Sequence, residues 1–485
     1  EAPPRSRIMD METETVELSE ALKGFSIIES TPEKGPIFVS PDIGICDACK
    51  EELFNPKNRR YLHPFINCTD CGPRLTVMKG MPYDRERTCM HDFPMCSACE
   101  SEYTNPSSRR YDAQPVCCND CGPQVYIVGT DIKGGEAIAA AREALCEGKI
   151  IAVKGIGGFH LCCDATNEAV VDKLRRLKPR PAKPLAVMAK NLETAKRECV
   201  VTKAEERLLV GWEKPVVLMK KRCGGKAAPS VAPDNPFLGV MLPYAPLQLL
   251  LFSYPDGRPV SDLLVMTSAN KSGMPICRSD EDVCRDLPGL CDLVLSHDRE
   301  ILLRVDDSVV TVFNEEPYMI RRSRGYAPLP IIVKGDFHGT VVGIGGELKN
   351  VFCLGKDNLF YLSPHIGDMS DVRTVAALRQ TIGKMEDLLE IMPGLGACDL
   401  HPQYNTTIVA HEQNLPLLPV QHHYAHVLSC MAENSCTGPV IGVALDGTGY
   451  GTDGTIWGGE ILVADYQAFT RYGSIMPFIH AGGDA

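Results

Sequence analysis

Two consecutive fifty-residue segments carry the same cysteine pattern, and this repeat constrains the fold more than any other feature of the chain. Each copy holds two Cys-x-x-Cys pairs, and adding 50 to a cysteine number in the first copy gives its counterpart in the second. The same offset relates Arg59-Arg60-Tyr61 to Arg109-Arg110-Tyr111. Two thiolate pairs at this spacing are the ligands that a tetrahedral Zn²⁺ ion needs. The predicted ligands of two structural zinc sites are Cys46, Cys49, Cys68 and Cys71 in the first copy and Cys96, Cys99, Cys118 and Cys121 in the second.

The wider cysteine usage favours zinc over disulfides or a redox-active thiol pair. The chain has 22 cysteines, many of them outside any paired pattern, such as Cys146 and Cys162. This usage is typical of a reducing cytosol, where a buried cysteine behaves as a small apolar side chain, so we expect a cytoplasmic protein. Zinc ligands paired within each copy are the simpler arrangement, and ligands interleaved between the copies remain an alternative. His63 and His91 are alternative ligands that we expect to make local contacts instead.

Length and charge bound the number of domains and the classes of partner. A chain of 485 residues predicts two to four domains. The net charge of −12 disfavours general binding of nucleic acids, which requires a basic surface. No uninterrupted apolar run reaches the length of a membrane span. We expect both ends of the chain to cut through domains. The predicted segments are residues 1–35, the zinc modules at 36–125, an α/β unit at 131–333 and a second α/β unit at 338–485.

The first α/β unit contains a basic, proline-rich loop. The pattern predicts a helix over residues 136–145 and a buried strand over residues 150–153. Five cationic residues then crowd positions 174–185, and the prolines there forbid a regular helix after Leu177. A rigid basic loop suits a polyanion such as a triphosphate, and a solvated basic face is the alternative. The candidate catalytic residues are Lys178, Arg180 and Lys183.

Small polar side chains follow a second apolar strand of the same unit. Thr267-Ser268-Ala269-Asn270 comes at the C-terminal end of that strand, where α/β proteins bind ligands, although a plain polar turn has the same composition. Arg304 adds positive charge near the end of the unit. Ser268, Asn270 and Arg304 are therefore candidate nucleotide-binding residues.

Two glycine-containing turns after predicted strands mark the second α/β unit. The first follows a strand over residues 340–344, and the second follows a strand over residues 440–444. Turns of this kind expose backbone N–H groups toward a phosphate, whose charge a lysine neutralises. The candidate nucleotide-binding residues here are Gly345, Gly346, Lys349, Asn350, Asp446, Gly447 and Gly449.

Three histidines within five residues lie between these turns, among 12 in the whole chain. If a helix begins here, His422 and His426 lie four residues apart and share a face, which is the geometry of two ligands to one metal ion. His423 points off that face, and Asp446 is a weaker candidate for a carboxylate partner. Two imidazoles and a carboxylate suit iron or zinc, so we predict a further metal at this pair.

The motifs of the first α/β unit resemble those of the YrdC/TsaC family, which makes carbamoyl-type adenylates from ATP. The resemblance rests on Lys178-Pro179-Arg180-Pro181-Ala182-Lys183-Pro184-Leu185 and on Thr267-Ser268-Ala269-Asn270. With the zinc repeat and the second α/β unit, nearly the full chain resembles the HypF family, carbamoyltransferases that mature [NiFe]-hydrogenases. The resemblance implies a multidomain α/β fold. Its parts would be the tail of an acylphosphatase-like domain at 1–35, tandem four-cysteine zinc modules, a YrdC-like α/β domain and the first half of an ASKHA-type, TsaD-like domain.

The same resemblance implies a reaction. Carbamoyl phosphate would supply carbamate, and the YrdC-like pocket would join carbamate to ATP, bound with Mg²⁺, to give carbamoyl-adenylate and pyrophosphate. Lys178, Arg180 and Lys183 would screen the developing phosphate charge, and Ser268 and Asn270 would orient the nucleotide. The TsaD-like domain would then transfer the carbamoyl group to the C-terminal cysteine of HypE, the source of the cyanide ligands.

Two other functions fit parts of the pattern. The same YrdC–TsaD pairing serves threonylcarbamoylation of tRNA, but that reaction does not require the zinc repeat, and the net charge of −12 disfavours tRNA. A zinc-finger protein that binds RNA is the non-enzymatic alternative. A strongly salt-dependent affinity for RNA would reveal it.

Overall fold

The computed structural model describes residues 13, 15, 37–180, 182–271 and 273–476. The predicted acylphosphatase-like tail at residues 1–35 lies outside the described residues, apart from Thr13 and Thr15. Among the described residues, no helix combines the length and the apolar character that crossing a membrane requires.

Both zinc modules are built around a short helix that begins at a cysteine. α1 (Asp47–Phe54) follows Cys46 and α2 (Ser97–Thr104) follows Cys96, so the first cysteine of each copy is the N-cap residue. A segment with so little regular structure depends on its metal sites for its shape. The 3₁₀ turns of this region are Leu75–Val77, Arg85–Arg87 and Cys89–Asp92.

The first α/β unit is built on a mixed ten-stranded sheet. Its strands are β1 (Val125–Ile127), β2 (Ile151–Lys154), β3 (Phe159–Asp164), β4 (Val187–Ala189), β5 (Val216–Lys220), β6 (Phe237–Met241), β7 (Leu263–Ser268), β8 (Leu293–His297), β9 (Val309–Phe313) and β10 (Glu316–Arg321). Their order across the sheet is β1-β8-β2-β3-β7-β4-β6-β5-β9-β10. The pairs β2 with β8, β4 with β6 and β5 with β9 are parallel, and the other neighbours are antiparallel.

Helices cover this sheet on both faces, and the central strands alternate between two apolar cores. Ile151 and Val153 of β2 pack into the core that α3 and α7 cover, whereas Ala152 packs into the core on the α4 side. α3 and β2 confirm the helix and the strand predicted at residues 136–145 and 150–153, and α4 ends at Leu177 as the prolines require. The helices are α3 (Gly134–Cys146), α4 (Glu168–Leu177), α5 (Leu192–Glu198), α6 (Lys203–Val210), α7 (Pro246–Phe252) and α8 (Asp280–Asp286), with a 3₁₀ turn at Pro229–Val231.

The second α/β unit opens with a six-stranded sheet in the order β11-β14-β13-β12-β15-β16. Its first strand, β11, lies inside the range predicted for the preceding unit and pairs with β14, so the chain enters the second sheet before residue 333. The strands are β11 (Pro330–Ile332), β12 (Thr340–Gly343), β13 (Cys353–Lys356), β14 (Leu359–Leu362), β15 (Leu395–Asp399) and β16 (Leu417–Val420), and the helices are α9 (Val372–Leu389), α10 (Asn405–Glu412) and α11 (His422–Glu433).

A smaller antiparallel part completes the described chain. The strands β17, β20 and β21 form one sheet, and β18 pairs with β19. α11 packs against this part, with Tyr424, Val427 and Met431 buried against Ala444 and Leu462. The strands are β17 (Val440–Ala444), β18 (Gly449–Tyr450), β19 (Ile456–Trp457), β20 (Glu460–Ala464) and β21 (Phe469–Ser474).

The zinc modules share a core with the first α/β unit. The backbone N–H of Ile45 donates to the carbonyl of Tyr244 over 2.9 Å. Phe65 is buried with its ring edge-on to His297, at a centroid distance of 5.1 Å, and beneath the guanidinium of Arg299. These contacts hold the modules in a fixed position against the ten-stranded sheet.

α9 docks the second α/β unit onto both of the other parts. At its first turn, Arg373 pairs with Asp286 of α8 at 2.9 Å, and the hydroxyl of Thr374 donates to the carbonyl of Gly273 over 3.1 Å. Further along, Lys384 donates to the carbonyl of Lys79 in the zinc region over 2.6 Å. The three predicted regions therefore meet along one helix.

Replacing Phe65 by alanine should lower the free energy of unfolding by about 3–5 kcal/mol, because removing this ring leaves a cavity between the zinc module and the sheet. Urea denaturation followed by tryptophan fluorescence measures the effect. The matched control is Phe313→Ala, because Phe313 is 67% exposed whereas Phe65 is 4% exposed. The control should change stability by less than about 0.5 kcal/mol. Equal effects in the two variants would contradict the shared core.

Candidate functional site

The two cysteine clusters have the size of occupied zinc sites. In the first copy, the Sγ atoms of Cys46 and Cys68 lie 3.7 Å apart and those of Cys68 and Cys71 lie 3.9 Å apart. In the second copy, the distances from Cys118 to Cys96 and to Cys121 are both 3.8 Å. A tetrahedron with Zn–S bonds of about 2.3 Å has S···S edges of about 3.8 Å. The clusters therefore fit two structural zinc ions.

Each cluster takes all four ligands from one copy of the repeat. The four Sγ atoms of each copy lie within 4.8 Å of one another, which is the within-copy pairing rather than the interleaved one. His63 hydrogen-bonds Asn119 at 2.9 Å and the thiol of Cys117 at 3.3 Å, so its ring makes local contacts as expected. Cys117 is buried beside the second cluster without belonging to it.

The basic loop places Lys178 against the polar end of β7. The Lys178 ammonium donates to the side-chain oxygen of Asn270 over 2.8 Å and to the carbonyl of Ser268. The hydroxyl of Ser268 donates to the same Asn270 oxygen over 3.0 Å. Burial lowers the pKa of Lys178 to about 7, and the neighbouring Arg180 acts in the same direction. These three predicted residues therefore form one hydrogen-bonded group.

Arg180 and Lys183 extend this group toward the second α/β unit. Arg180 donates to the hydroxyl of Thr267 over 3.4 Å, and burial lowers its pKa to about 10. Partial desolvation lowers the pKa of Lys183, whose side chain stays exposed, and the cations Arg180, Arg321 and Lys349 act in the same direction. Lys349 belongs to the second α/β unit. Cations of both units therefore lie near Lys183.

Arg304 lies on the wall of a separate cavity of about 550 Å³ between α8 and α9. Its guanidinium donates to the carbonyl of Ile276 over 3.0 Å and pairs with Asp282 at 3.1 Å. Arg373 of α9 lines the same cavity. The structure thus gives Arg304 an ion-pair partner at the junction of the two units, apart from the hydrogen-bonded group around Lys178.

The first glycine turn of the second unit is braced by its own loop. Gly345 has φ +79°, and a Cβ there would collide with the carbonyl oxygen of Val351, so this position requires glycine. The side-chain amide of Asn350 donates to the carbonyls of Ile344 and Gly346 over 2.8 Å each. Asn350 therefore shapes the turn rather than pointing away from it.

A further loop carries the charges that face Lys183. The backbone N–H of Lys349 donates to the carboxylate of Asp368 over 2.7 Å, and that of Asn350 donates to the carbonyl of Gly367 over 2.8 Å. His365 precedes them, and burial lowers its pKa to about 4, with Arg321 the next contributor. His365 and Asp368 were missed from the sequence, because they lie in a loop without a strand-turn pattern.

The histidine pair forms a cluster with Asp446. α11 starts at His422, so His422 and His426 share a helical face, with their Nε2 atoms 3.2 Å apart. One carboxylate oxygen of Asp446 lies 2.8 Å from His422 Nε2 and 3.6 Å from His426 Nε2. Distances of this size fit three ligands around one ion. The structure thus places Asp446, predicted mainly as a nucleotide contact, among candidate metal ligands.

Asp399 fixes the orientation of this cluster. The Nδ1–H of His422 donates to the Asp399 carboxylate over 2.6 Å, and this contact raises the pKa of His422. A carboxylate behind a ligating histidine holds the tautomer that presents Nε2 to a metal. Asp399 ends strand β15, a position that α/β sheets use for functional side chains, and this signal could have identified it from the sequence.

The remaining predicted residues surround the cluster. A Cβ on Gly346 would lie 3.7 Å from Cε1 of His422, so the first glycine turn borders the candidate metal ligands. His423 points away, and its Nε2–H donates to the backbone carbonyl of Asp446 over 3.2 Å. Gly449 lies against the ring of His423, and Gly447 packs its carbonyl against Gly458. The two glycine turns therefore lie on either side of the histidine helix.

Family models match most of the chain. The HypF finger model matches residues 45–78 and 95–128, and the Sua5/YciO/YrdC model, described as telomere recombination, matches residues 143–323. The HypF Kae1-like domain matches residues 336–433, and the second subdomain of the Kae1-like carbamoyltransferase domain matches residues 442–485. This order confirms the predicted sequence of zinc modules, YrdC-like domain and Kae1-like, or TsaD-like, domain.

Individual relatives agree with the family models. The chain is 44% identical over 507 aligned residues to carbamoyltransferase HypF2 of Cupriavidus necator, covering 100% of the chain and 63% of that relative. It is similar to the crystal structure of full-length HypF in the phosphate- and nucleotide-bound form, with a TM-score of 0.88 and 45% identity over 94% of the chain and 60% of that protein. A threonylcarbamoyl-AMP synthase of Escherichia coli is 34% identical over 31% of the chain and 78% of the synthase. The chain thus spans less than two thirds of the length of its full-chain relatives.

Replacing Asp399 by asparagine should weaken metal binding at the histidine cluster by about 10–100-fold, because the histidine loses the carboxylate that orients it. Competition with a chromophoric chelator, using Co²⁺ or Zn²⁺, measures the affinity. The matched control is Asp453→Asn, because that carboxylate contacts Thr455 and Trp457 instead. An unchanged affinity in Asp399→Asn would contradict the orienting role of this carboxylate.

Proposed function

The chain belongs to the HypF family of carbamoyltransferases, and from this premise we propose that it catalyses ATP-dependent carbamoyl transfer. The carbamoyl group would come from carbamoyl phosphate by way of carbamate. The acceptor would be the thiol of the C-terminal cysteine of HypE, for synthesis of the cyanide ligands of [NiFe]-hydrogenases. The loops around Lys178 and Lys349 are the parts of the molecule that support this proposal.

The first step would take place at the group around Lys178. A carbamate oxygen attacks the α-phosphorus of ATP, the bond from that phosphorus to the bridging oxygen of the β-phosphate breaks, and pyrophosphate leaves with Mg²⁺. Lys178, Arg180 and Lys183 would neutralise the charge on the phosphates, and Ser268 and Asn270 would hold the nucleotide at the end of β7. Their mutual hydrogen bonds support this arrangement because they fix the donors before the substrate binds.

The second step would use the carbamoyl-adenylate. The thiolate sulfur of the acceptor attacks the carbamoyl carbon, the bond from that carbon to the phosphate oxygen breaks, and AMP leaves. The thiol proton passes to solvent or to a nearby base when the thiolate forms. Gly345, Gly346 and Lys349 would hold the adenylate phosphate during this step.

One observation carries the proposal: a single segment bonds the candidate loops of both domains, because Asp368 accepts from the backbone N–H of Lys349 and Thr374 donates to the carbonyl of Gly273. Charges of both domains also act on the pKa of Lys183, which Arg180, Arg321 and Lys349 lower and Asp368 raises. Two phosphate-binding loops that face each other allow an adenylate made at one to reach the other without entering bulk water. An intermediate that water hydrolyses requires such proximity.

The metal sites have separate parts in this scheme. The eight cysteines would hold two structural zinc ions that position the modules. His422, His426 and Asp446 would hold a further metal, iron or zinc, which would supply a Lewis acid beside the glycine turn. Asp399 keeps the Nε2 lone pair of His422 directed at that position.

Threonylcarbamoyl-adenylate synthesis is the less favoured alternative. The Escherichia coli synthase that carries this name matches only 31% of the chain, whereas HypF2 of Cupriavidus necator matches all of it. A match over 31% of the chain leaves most of the chain without a counterpart in that synthase. Binding of RNA through the zinc modules is supported by no contact or charge pattern among the described residues.

Pyrophosphate exchange tests the adenylate-forming step. With ammonium bicarbonate as a source of carbamate, the chain should exchange labelled pyrophosphate into ATP, and Lys183→Ala should reduce the rate by about 10²-fold. Lys190→Ala is the matched control, because Lys190 is an exposed lysine of the same unit like Lys183 but follows β4 instead of lying in the basic loop. Exchange with threonine and bicarbonate but without ammonia would point instead to threonylcarbamoyl-adenylate.

ATP binding at pH 8 should take up close to one proton at Lys178. The buried lysine has a pKa of about 7 in the free protein, so it is mostly neutral at pH 8, and adjacent phosphates restore its ordinary, higher pKa. The affinity for ATP should therefore fall as the pH rises above 7. Titration calorimetry in buffers with different ionisation enthalpies measures the uptake, and Lys178→Met should abolish it. Uptake that persists in this variant would remove Lys178 from the site.

A further inference from the structure

An arginine of the first zinc module reaches the cysteine cluster of the second. The guanidinium of Arg59 donates to the Sγ atoms of Cys96 and Cys99 over 3.3 Å each and to that of Cys118 over 3.2 Å. It also pairs with Glu102 of α2 at 3.2 Å. Arg59 thus touches three of the four zinc ligands of the other copy.

An arginine of the second module makes the equivalent contact with the cysteine cluster of the first. The guanidinium of Arg109 lies 3.4 Å from the Sγ atom of Cys68, 3.8 Å from that of Cys49 and 3.9 Å from that of Cys46. It pairs with Glu52 of α1 at 2.6 Å. Arg109 is the fifty-residue counterpart of Arg59, so the exchange follows the symmetry of the repeat.

Neighbouring contacts fix both arginines in place. Arg60 donates to the carbonyl of Cys117 over 2.8 Å, and its counterpart Arg110 donates to the carbonyl of Asn67 over 3.1 Å. The side chain of Thr69 donates to the backbone carbonyl of Arg109 over 2.7 Å. The residue after each arginine is therefore anchored to the backbone of the other module, and Thr69 also holds the backbone of Arg109 itself.

The charges explain why such an exchange stabilises the pair. Four thiolates and one Zn²⁺ ion carry a net charge of −2, and hydrogen bonds to the sulfurs reduce their tendency to leave the metal. Among the described residues, neither Arg59 nor Arg109 donates to a cysteine of its own module. The compensating charge of each site is therefore supplied by the other copy.

We propose that each zinc site is completed by an arginine of the other repeat, so that Arg59 sets zinc retention at the Cys96 cluster and Arg109 sets it at the Cys46 cluster. Neither module is then a self-sufficient zinc site, although each contains four cysteines. The ligand concerned is Zn²⁺, and the two arginines act through the sulfurs without touching the ion.

Site-resolved alkylation tests this assignment on the full zinc-loaded chain. The protein is exposed to N-ethylmaleimide with EDTA, and peptide mass spectrometry follows the labelling of each cysteine. Arg59→Met should accelerate labelling of Cys96, Cys99 and Cys118 by about tenfold or more relative to the Cys46 cluster. Arg109→Met should instead accelerate labelling of the Cys46 cluster relative to the Cys96 cluster. Both clusters are read in the same sample, so the ratio separates a local effect from loss of the fold.

Controls define what would overturn the proposal. Arg87→Met changes an arginine of the same region that donates to the carbonyl of Met81 instead of to a sulfur, and it should leave the ratio unchanged. Arg59→Lys keeps the positive charge but loses the forked donor, so it should give an intermediate ratio. The proposal is wrong if Arg59→Met accelerates alkylation of the Cys46 cluster instead. It is also wrong if Arg59→Met, Arg109→Met and Arg59→Lys all leave the ratio of alkylation rates of the two clusters as it is in the unsubstituted protein.

Discussion

The thiolate clusters are the constraint on which the rest of the structure depends. The zinc region has only two short helices and a few 3₁₀ turns among its described residues, so its chain path is set by two groups of four sulfurs and not by a core of its own. That path places Ile45 and Phe65 against the ten-stranded sheet and Lys79 against α9. The YrdC-like and Kae1-like domains are therefore both held by a region whose shape comes from metal coordination.

The candidate reaction site depends on this placement because neither domain contains it alone. Lys178, Ser268 and Asn270 form a group at the end of β7, and Lys349 of the second domain lies near enough to Lys183 for its charge to lower the pKa of that lysine. Burial is what lowers the pKa of Lys178 to about 7. A lysine in this state is costly in an empty site and becomes favourable when a polyanion enters, so the same burial favours phosphate binding.

Much of this arrangement could be predicted from local patterns. The cysteine spacing identified both clusters, the prolines located the end of α4 at Leu177, and the histidine spacing identified the shared face of α11. Contacts between distant segments could not be predicted. The role of Asp446 depends on how β17 packs beside α11, and the partner of Arg304 depends on the position of α8. The contacts of Arg59 and Arg109 with the cysteine cluster of the other copy could not be predicted. The sequence shows only that the tripeptide Arg-Arg-Tyr is repeated, and a repeat does not show which copy a side chain faces.

The segment from Asp368 to Thr374, which ends in the first turn of α9, makes hydrogen bonds to both candidate phosphate-binding loops. Its Asp368 carboxylate holds the backbone of Lys349 in the glycine turn, and its Thr374 hydroxyl holds the carbonyl of Gly273, beyond the polar end of β7. Asn270 in turn donates to the carbonyl of Met274, next to that contact. Hydrogen bonds at the N-terminal end of α9 therefore tie the two loops to one segment, so their spacing depends on how this helix end is placed.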